Sequence, residues 1–237
     1  MIKFFAFILL SSFQISMFGS HKIFVIHGYG SSRLIMKKIV RSIKNENFIT
    51  ENYGYRSMTE DLDTIGEQLY YRIKMSKIDT VSFVTHSMGA LAVRSMLQYS
   101  IKDKDFPVIF RIVMIAPPNG GAEIADFYAS IEILKKILGP NLQHMNTDSD
   151  SYAKKLPIPH NIEIGIIAGI RGEKHGYNLF IKGDNDGVLT PERTKLGNEK
   201  DFVIVKGEHN LLTQKKYVCK LVVEFLKFGS FISKQKI

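Results

Sequence analysis

Short apolar runs of strand length recur along the chain, and most are followed by a segment whose apolar residues return at helical spacing. Lys22 to Ile26 (K-I-F-V-I) precedes the helical pattern L-I-M-K-K-I-V-R-S-I, and Thr80 to Val84 (T-V-S-F-V) precedes A-L-A-V-R-S-M-L. A third run ends at Ala116, a fourth covers Ile162 to Gly169, and a fifth, Asp201 to Val205, leads to the last helical pattern, L-T-Q-K-K-Y-V-C-K-L-V-V-E-F-L. Such alternation predicts an α/β fold: a mainly parallel sheet with helices on both faces. Ser57-Met58-Thr59-Glu60 reads as a capping box opening a helix whose Leu62, Ile65, Leu69 and Ile73 share one core-facing side.

Two segments interrupt this rhythm. Met1-Ile2-Lys3 followed by F-F-A-F-I-L-L-S-S-F-Q-I-S-M-F joins a positive start to an apolar stretch short for a membrane span. Residues 1–20 are therefore expected to be an export signal, with an uncleaved anchor or a helix packed on the domain as the other readings, and 21–237 to be one domain. An exported protein would be periplasmic or secreted. Between Ala116 and Ile162 lie more residues than a plain crossover needs, and Ile124, Phe127, Ile131, Leu134 and Leu138 repeat at helical spacing. Residues 119–160 can thus form a lid over a site or an ordinary amphipathic surface helix, and both readings stay open.

The most reactive pattern lies where the second run meets its helix. Thr85 to Gly89 reads T-H-S-M-G, a serine on a sharp strand-to-helix turn, where strained backbone holds a hydroxyl clear of the sheet. Ser87 is the candidate nucleophile, with a helix N-cap as its bland alternative. After the first run, H-G-Y-G-S-S (His27 to Ser32) is a glycine-containing turn able to aim N–H groups at a carbonyl oxygen, and the backbone N–H groups of Tyr29 and Met88 are the oxyanion candidates. Downstream, G-D-N-D-G-V supplies Asp184 and Asp186, of which Asp186 is preferred as the acid and Asp184 as a turn residue. Glu123 and Asp126 are more distant choices. K-G-E-H-N places His209 directly after the fifth run, where an imidazole can take the serine proton and return it to a leaving group. His86 is expected to point away from the nucleophile and His27 to be structural. His21, His144, His160 and His175 are expected at the solvated surface.

The motifs H-G-Y-G, T-H-S-M-G-A-L-A-V-R, R-I-V-M-I-A-P-P-N-G-G, D-N-D-G-V and G-E-H-N, spread from about Lys22 to the last helix, resemble those of the α/β-hydrolases. The likeness is to small bacterial lipases and esterases and the related inositol-deacylase-like hydrolases. It implies Ser87, Asp186 and His209 as a catalytic triad, Tyr29 and Met88 as oxyanion donors, and ester hydrolysis through an acyl-serine with no cofactor and no metal. Thr85 departs from the glycine most common at the first position of that elbow. Acyl transfer, or amide or thioester cleavage, on the same triad is the nearest alternative, and a catalytically silent membrane-associated binding protein is the non-enzymatic one.

Composition narrows this little. The single cysteine, Cys219, excludes an intramolecular disulfide and reads as a buried helical position. A net charge of +9 favours polyanions, here an anionic membrane surface beside a lipid ester substrate. No nucleic-acid signature accompanies the dispersed Lys and Arg, so no nucleic acid partner is expected.

Overall fold

The computed structural model describes residues 20–129, 131, 133, 138–139 and 141–234. The N-terminal apolar segment, except Ser20, and Leu134 of the lid candidate lie outside the described residues. Six strands form one wholly parallel sheet: β1 (His21–Ile26), β2 (Ile49–Tyr53), β3 (Thr80–His86), β4 (Val108–Ile115), β5 (Glu163–Ile170) and β6 (Asp201–Lys206). Their spatial order is β2-β1-β3-β4-β5-β6. The chain steps from β1 outward to β2, then returns across β1 to continue through β3. Strand order therefore reverses between β1 and β3, and in open parallel sheets the crevice beyond the carboxyl ends of such a pair is where ligands bind.

Alternating side chains build a core on each face. Ile23, Val25, Val84, Val113 and Ile167 pack under α1 (Lys37–Lys44) and the C-terminal helix, while Phe24, Phe83, Ile112, Met114 and Ile166 pack under α2 (Leu62–Met75) and α3 (Gly89–Ser100). The four α2 residues read as core, Leu62, Ile65, Leu69 and Ile73, are all fully buried. The helix start differs from expectation. Asp61, not Ser57, caps α2, in extended backbone and accepting the Asp63 N–H at 2.9 Å. Residues 56–60 instead close a turn, with Glu60 N–H on the Arg56 carbonyl at 3.0 Å, and the Ser57 carbonyl is used by Asn141.

Between β4 and β5 the chain forms α4 (Glu123–Ala129) and single helical turns at Asn141–His144 and Tyr152–Lys155. Ala122, Ala125, Leu142, Met145 and Leu156 join Met88 and Leu91 in a third apolar cluster, so this segment caps the beginning of α3. Arg94 fastens its far end. The buried guanidinium donates to the carbonyls of Leu156 at 2.6 Å and Pro157 at 3.0 Å and to Asn119 Oδ1 at 3.2 Å, and burial lowers its pKa to about 10. After β6 a 3-10 turn, His209–Gln214, leads into α5 (Lys216–Phe228), where Cys219 is buried and Gly229 closes the helix at φ 68°. Among the described residues no helix is long and apolar enough to cross a membrane.

Candidate active site

Ser87 stands at the turn between β3 and α3 with φ +51°, a left-handed conformation that costs a residue with a side chain roughly 1–2 kcal/mol. Its N–H still bonds the Ile115 carbonyl at 2.9 Å, so the β3–β4 ladder holds the backbone up to the kink itself. Two glycines let this turn press against the end of β1. A Cβ on Gly28 would lie 2.8 Å from Ser87 Cβ, and one on Gly89 would lie 2.6 Å and 2.7 Å from the carbonyl oxygens of His27 and Ile26. Thr85 is fully buried in β3 beside Ile26 and Met114, its hydroxyl 3.4 Å from the Val113 carbonyl.

Across the crevice, Asp186 and His209 meet. His209 Nδ1 lies 2.7 Å from Asp186 Oδ2, and the His209 N–H bonds the Asp186 carbonyl at 2.9 Å. Both side chains are buried, and a buried carboxylate is costly unless its lone pairs are met. The N–H groups of Val188 and Leu189 meet the other oxygen, each at 3.0 Å. In a neutral imidazole with Nδ1 donating to the carboxylate, Nε2 is left as the acceptor. Asp184 does other work, accepting the N–H groups of Arg171 and Gly172 at 2.9 Å each, which is the turn role expected of it. Glu123 is engaged by Thr190 and Arg193, and Asp126 by Thr147, so neither faces the imidazole.

Ser87, His209 and Tyr29 line one cavity of about 300 Å³, whose apolar wall comes largely from the capping segment through Ala122, Ile124, Ala125, Tyr128, Leu142 and Met145. Met88 lies buried at the N-cap of α3, where main-chain N–H groups lack an intrahelical acceptor. The Tyr29 hydroxyl donates to the Leu138 carbonyl and so ties the β1 turn to the cap. Beneath that turn, His27 stacks on Tyr55 at 4.4 Å while the Tyr55 hydroxyl bonds the His27 carbonyl at 2.7 Å. Among the described residues no group of three His, Cys, Asp or Glu side chains is arranged to hold a metal ion.

The histidines depart most from expectation. His86 reaches across the site: its Nε2 lies 3.1 Å from the His209 carbonyl, with the two rings 4.9 Å apart. Only the sequence adjacency to Ser87 hinted at this, and adjacency argued the other way. His21 and His144 are half-buried rather than solvated, bonded to Ser82 and Asp61 at 2.9 Å and 2.8 Å, while His160 and His175 are exposed.

Burial first, and the neighbouring His209 second, push His86 down from its ordinary 6.5 to about 3. Burial also lowers His27. Between about pH 3 and 6.5 the unfolded chain therefore binds a proton at His86 that the folded chain refuses. Stability is expected to fall as pH drops through this window, by up to about 1.4 kcal/mol per pH unit from this one group. Urea denaturation at several pH values should show a shallower acid slope for His86→Gln, and an unchanged slope would show that His86 is not the group responsible.

The sheet order, the strained serine at its switch point and the buried Asp–His pair define an α/β-hydrolase architecture. The chain belongs to the family described as alpha/beta hydrolase of unknown function (DUF915), whose model matches residues 55–227. No curated protein matches the sequence significantly. Among solved structures, the mature lipase BlEst2 of Bacillus licheniformis is similar at 17% identity and TM-score 0.63, over 87% of this chain and 89% of that one. The lin2722 product of Listeria innocua matches at 17% identity and TM-score 0.63, over 92% and 96%. The carboxylesterase CesB of Bacillus subtilis matches at 15% identity and TM-score 0.53, over 89% and 88%. At such identities the likeness is one of fold.

Proposed function

We propose that this chain is a serine hydrolase of carboxylic esters, with residues 21–237 as its catalytic domain and 119–160 as a lid. One observation carries the reading: a serine held at φ +51° and a histidine anchored to a buried aspartate line the same apolar-walled cavity. In this reading His209 Nε2 takes the hydroxyl proton as Ser87 Oγ attacks the ester carbonyl. The Tyr29 and Met88 N–H groups receive the tetrahedral oxyanion. The imidazolium, steadied by Asp186, returns its proton to the departing alkoxide and leaves an acyl-serine. Water, deprotonated by the same imidazole, then attacks the acyl carbon and releases the acid.

Similar folds among bacterial lipases and carboxylesterases support an ester as substrate class, and the apolar cavity wall suits an acyl chain. The proposal extends to export guided by residues 1–20 and to contact with an anionic membrane. The test is a fluorophosphonate probe followed by mass analysis, beside a panel of p-nitrophenyl esters of increasing chain length. A single adduct on Ser87 with turnover of the panel is expected; a folded protein that neither labels nor turns over any ester would refute the reading.

A further inference from the structure

The loop that carries Asp186 also builds a surface. Its hub is Asn185, whose side chain is 0% exposed. Its Oδ1 accepts the N–H groups of Asn178 at 3.0 Å and Gly187 at 2.9 Å, and its Nδ2 donates to the carbonyls of Asn178 and Gly183, each at 3.0 Å. Asn178 adds two more bonds, its Oδ1 accepting the Phe180 N–H at 3.0 Å and its Nδ2 donating to the Gly187 carbonyl at 3.2 Å. Ile181 turns inward and is buried. Asn178 and Ile181 are thus anchors, and the two residues between them are held outward by a hydrogen-bonded frame. Those two are Leu179, 77% exposed, and Phe180, 88% exposed.

Displaying two large apolar side chains on a framed tip is unfavourable in water and marks an interaction surface. Phe180 continues onto α4, stacked on Phe127 at 6.0 Å and 13°. The ridge borders the cavity, since Asn178 on one side and Ile124 and Tyr128 on the other line it. In the sequence, Lys174 and Lys182, both exposed, lie on either side of the tip. The net charge of +9 opposes a second copy as occupant and attracts a negatively charged one.

We propose that Leu179, Phe180 and Phe127 form an interfacial docking ridge that inserts into an anionic lipid surface and sets the cavity mouth against it. The aromatic and aliphatic tips enter the acyl boundary while the lysines stay among the headgroups. This deepens the ester-hydrolase reading by giving the substrate a physical state, that of a lipid in a surface.

The full chain contains no tryptophan, so Phe180→Trp introduces a single reporter at the tip. It is made in a Ser87→Ala background, so that lipid is not consumed and insertion is read whether or not the protein is an esterase. With phosphatidylglycerol vesicles the indole emission should shift to the blue and be quenched by brominated acyl chains, and the response should weaken with phosphatidylcholine vesicles. A Met75→Trp control, exposed at the end of α2 just before β3 begins and so at the amino ends of the strands, should not respond. In the active protein, Leu179→Ser with Phe180→Ser should slow hydrolysis of a long-chain ester dispersed in phosphatidylglycerol by about tenfold or more while sparing soluble p-nitrophenyl acetate.

An unshifted Trp at position 180 on phosphatidylglycerol vesicles would overturn the proposal. So would a blue shift that grows with protein concentration without lipid, which would identify a second copy as the occupant, or an equal loss on both esters. A response equal on phosphatidylcholine would overturn the anionic preference. Insertion by a protein that turns over no ester would overturn the hydrolase reading alone.

Discussion

Ser87→Ala is expected to lower kcat on the best p-nitrophenyl ester by on the order of 10⁴–10⁶-fold, the loss seen when one member of a triad acting as a unit is removed. The fold should survive, because alanine meets the same left-handed backbone at φ +51° as serine and the frame of the turn is main-chain. Ser87→Gly separates chemistry from strain: it should be equally inactive, yet relieved of the positive-φ penalty, and so melt no lower than Ser87→Ala. His209→Gln should fall by a similar factor in turnover and label slowly with a fluorophosphonate, since the serine remains but its base is gone. Turnover within tenfold of the unsubstituted chain in Ser87→Ala, with near-native circular dichroism, would remove Ser87 from the mechanism.

Most of the sheet was legible because a strand buried on both faces must be apolar along its whole length. β1, β3, β4 and β5 were each visible as such a run, and β6, the other edge strand, through its Phe-Val-Ile-Val stretch with Val203 and Val205 buried, to within a residue or two at most ends. β2 was not. Its sequence, Ile-Thr-Glu-Asn-Tyr, sits at the sheet edge with β1 as its only neighbour, none of its residues is fully buried, and Glu51 binds Lys22 and Arg72 at its surface. An edge strand needs no apolar run, so hydrophobic pattern alone cannot find it. The mistaken cap at Ser57 has a similar origin. Ser57 and Asp61 are both competent caps, and tertiary contact decided between them when Asn141 took the Ser57 and Glu60 carbonyls. At the site, the spacing of elbow, aspartate loop and final histidine was readable because each follows a strand end, and parallel strands bring their ends to one edge. The reach of His86 to the His209 carbonyl was not, since it depends on how two loops far apart in sequence lie against each other.

Asp186→Asn and Asp184→Asn should separate sharply although they share one loop. At position 186 the amide keeps an oxygen for the Val188 and Leu189 N–H groups, but where it replaces the carboxylate facing Nδ1 it offers neither a charge nor the same constraint on the imidazole. His209 then loses the partner that fixes its tautomer and stabilises the imidazolium, and kcat is expected to drop by about 10⁴-fold with KM little changed. At position 184 the carboxylate receives the Arg171 and Gly172 N–H groups at the end of β5, well removed from the imidazole in its bonding. Its amide can accept only one of those bonds well, so Asp184→Asn should cost about 1–2 kcal/mol of stability, read as a lower urea midpoint, and less than tenfold in kcat. Steady-state kinetics and urea unfolding on both variants decide the matter. A kcat loss larger at 184 than at 186 would move the acid to Asp184 and would contradict the 2.7 Å contact on which the present assignment stands.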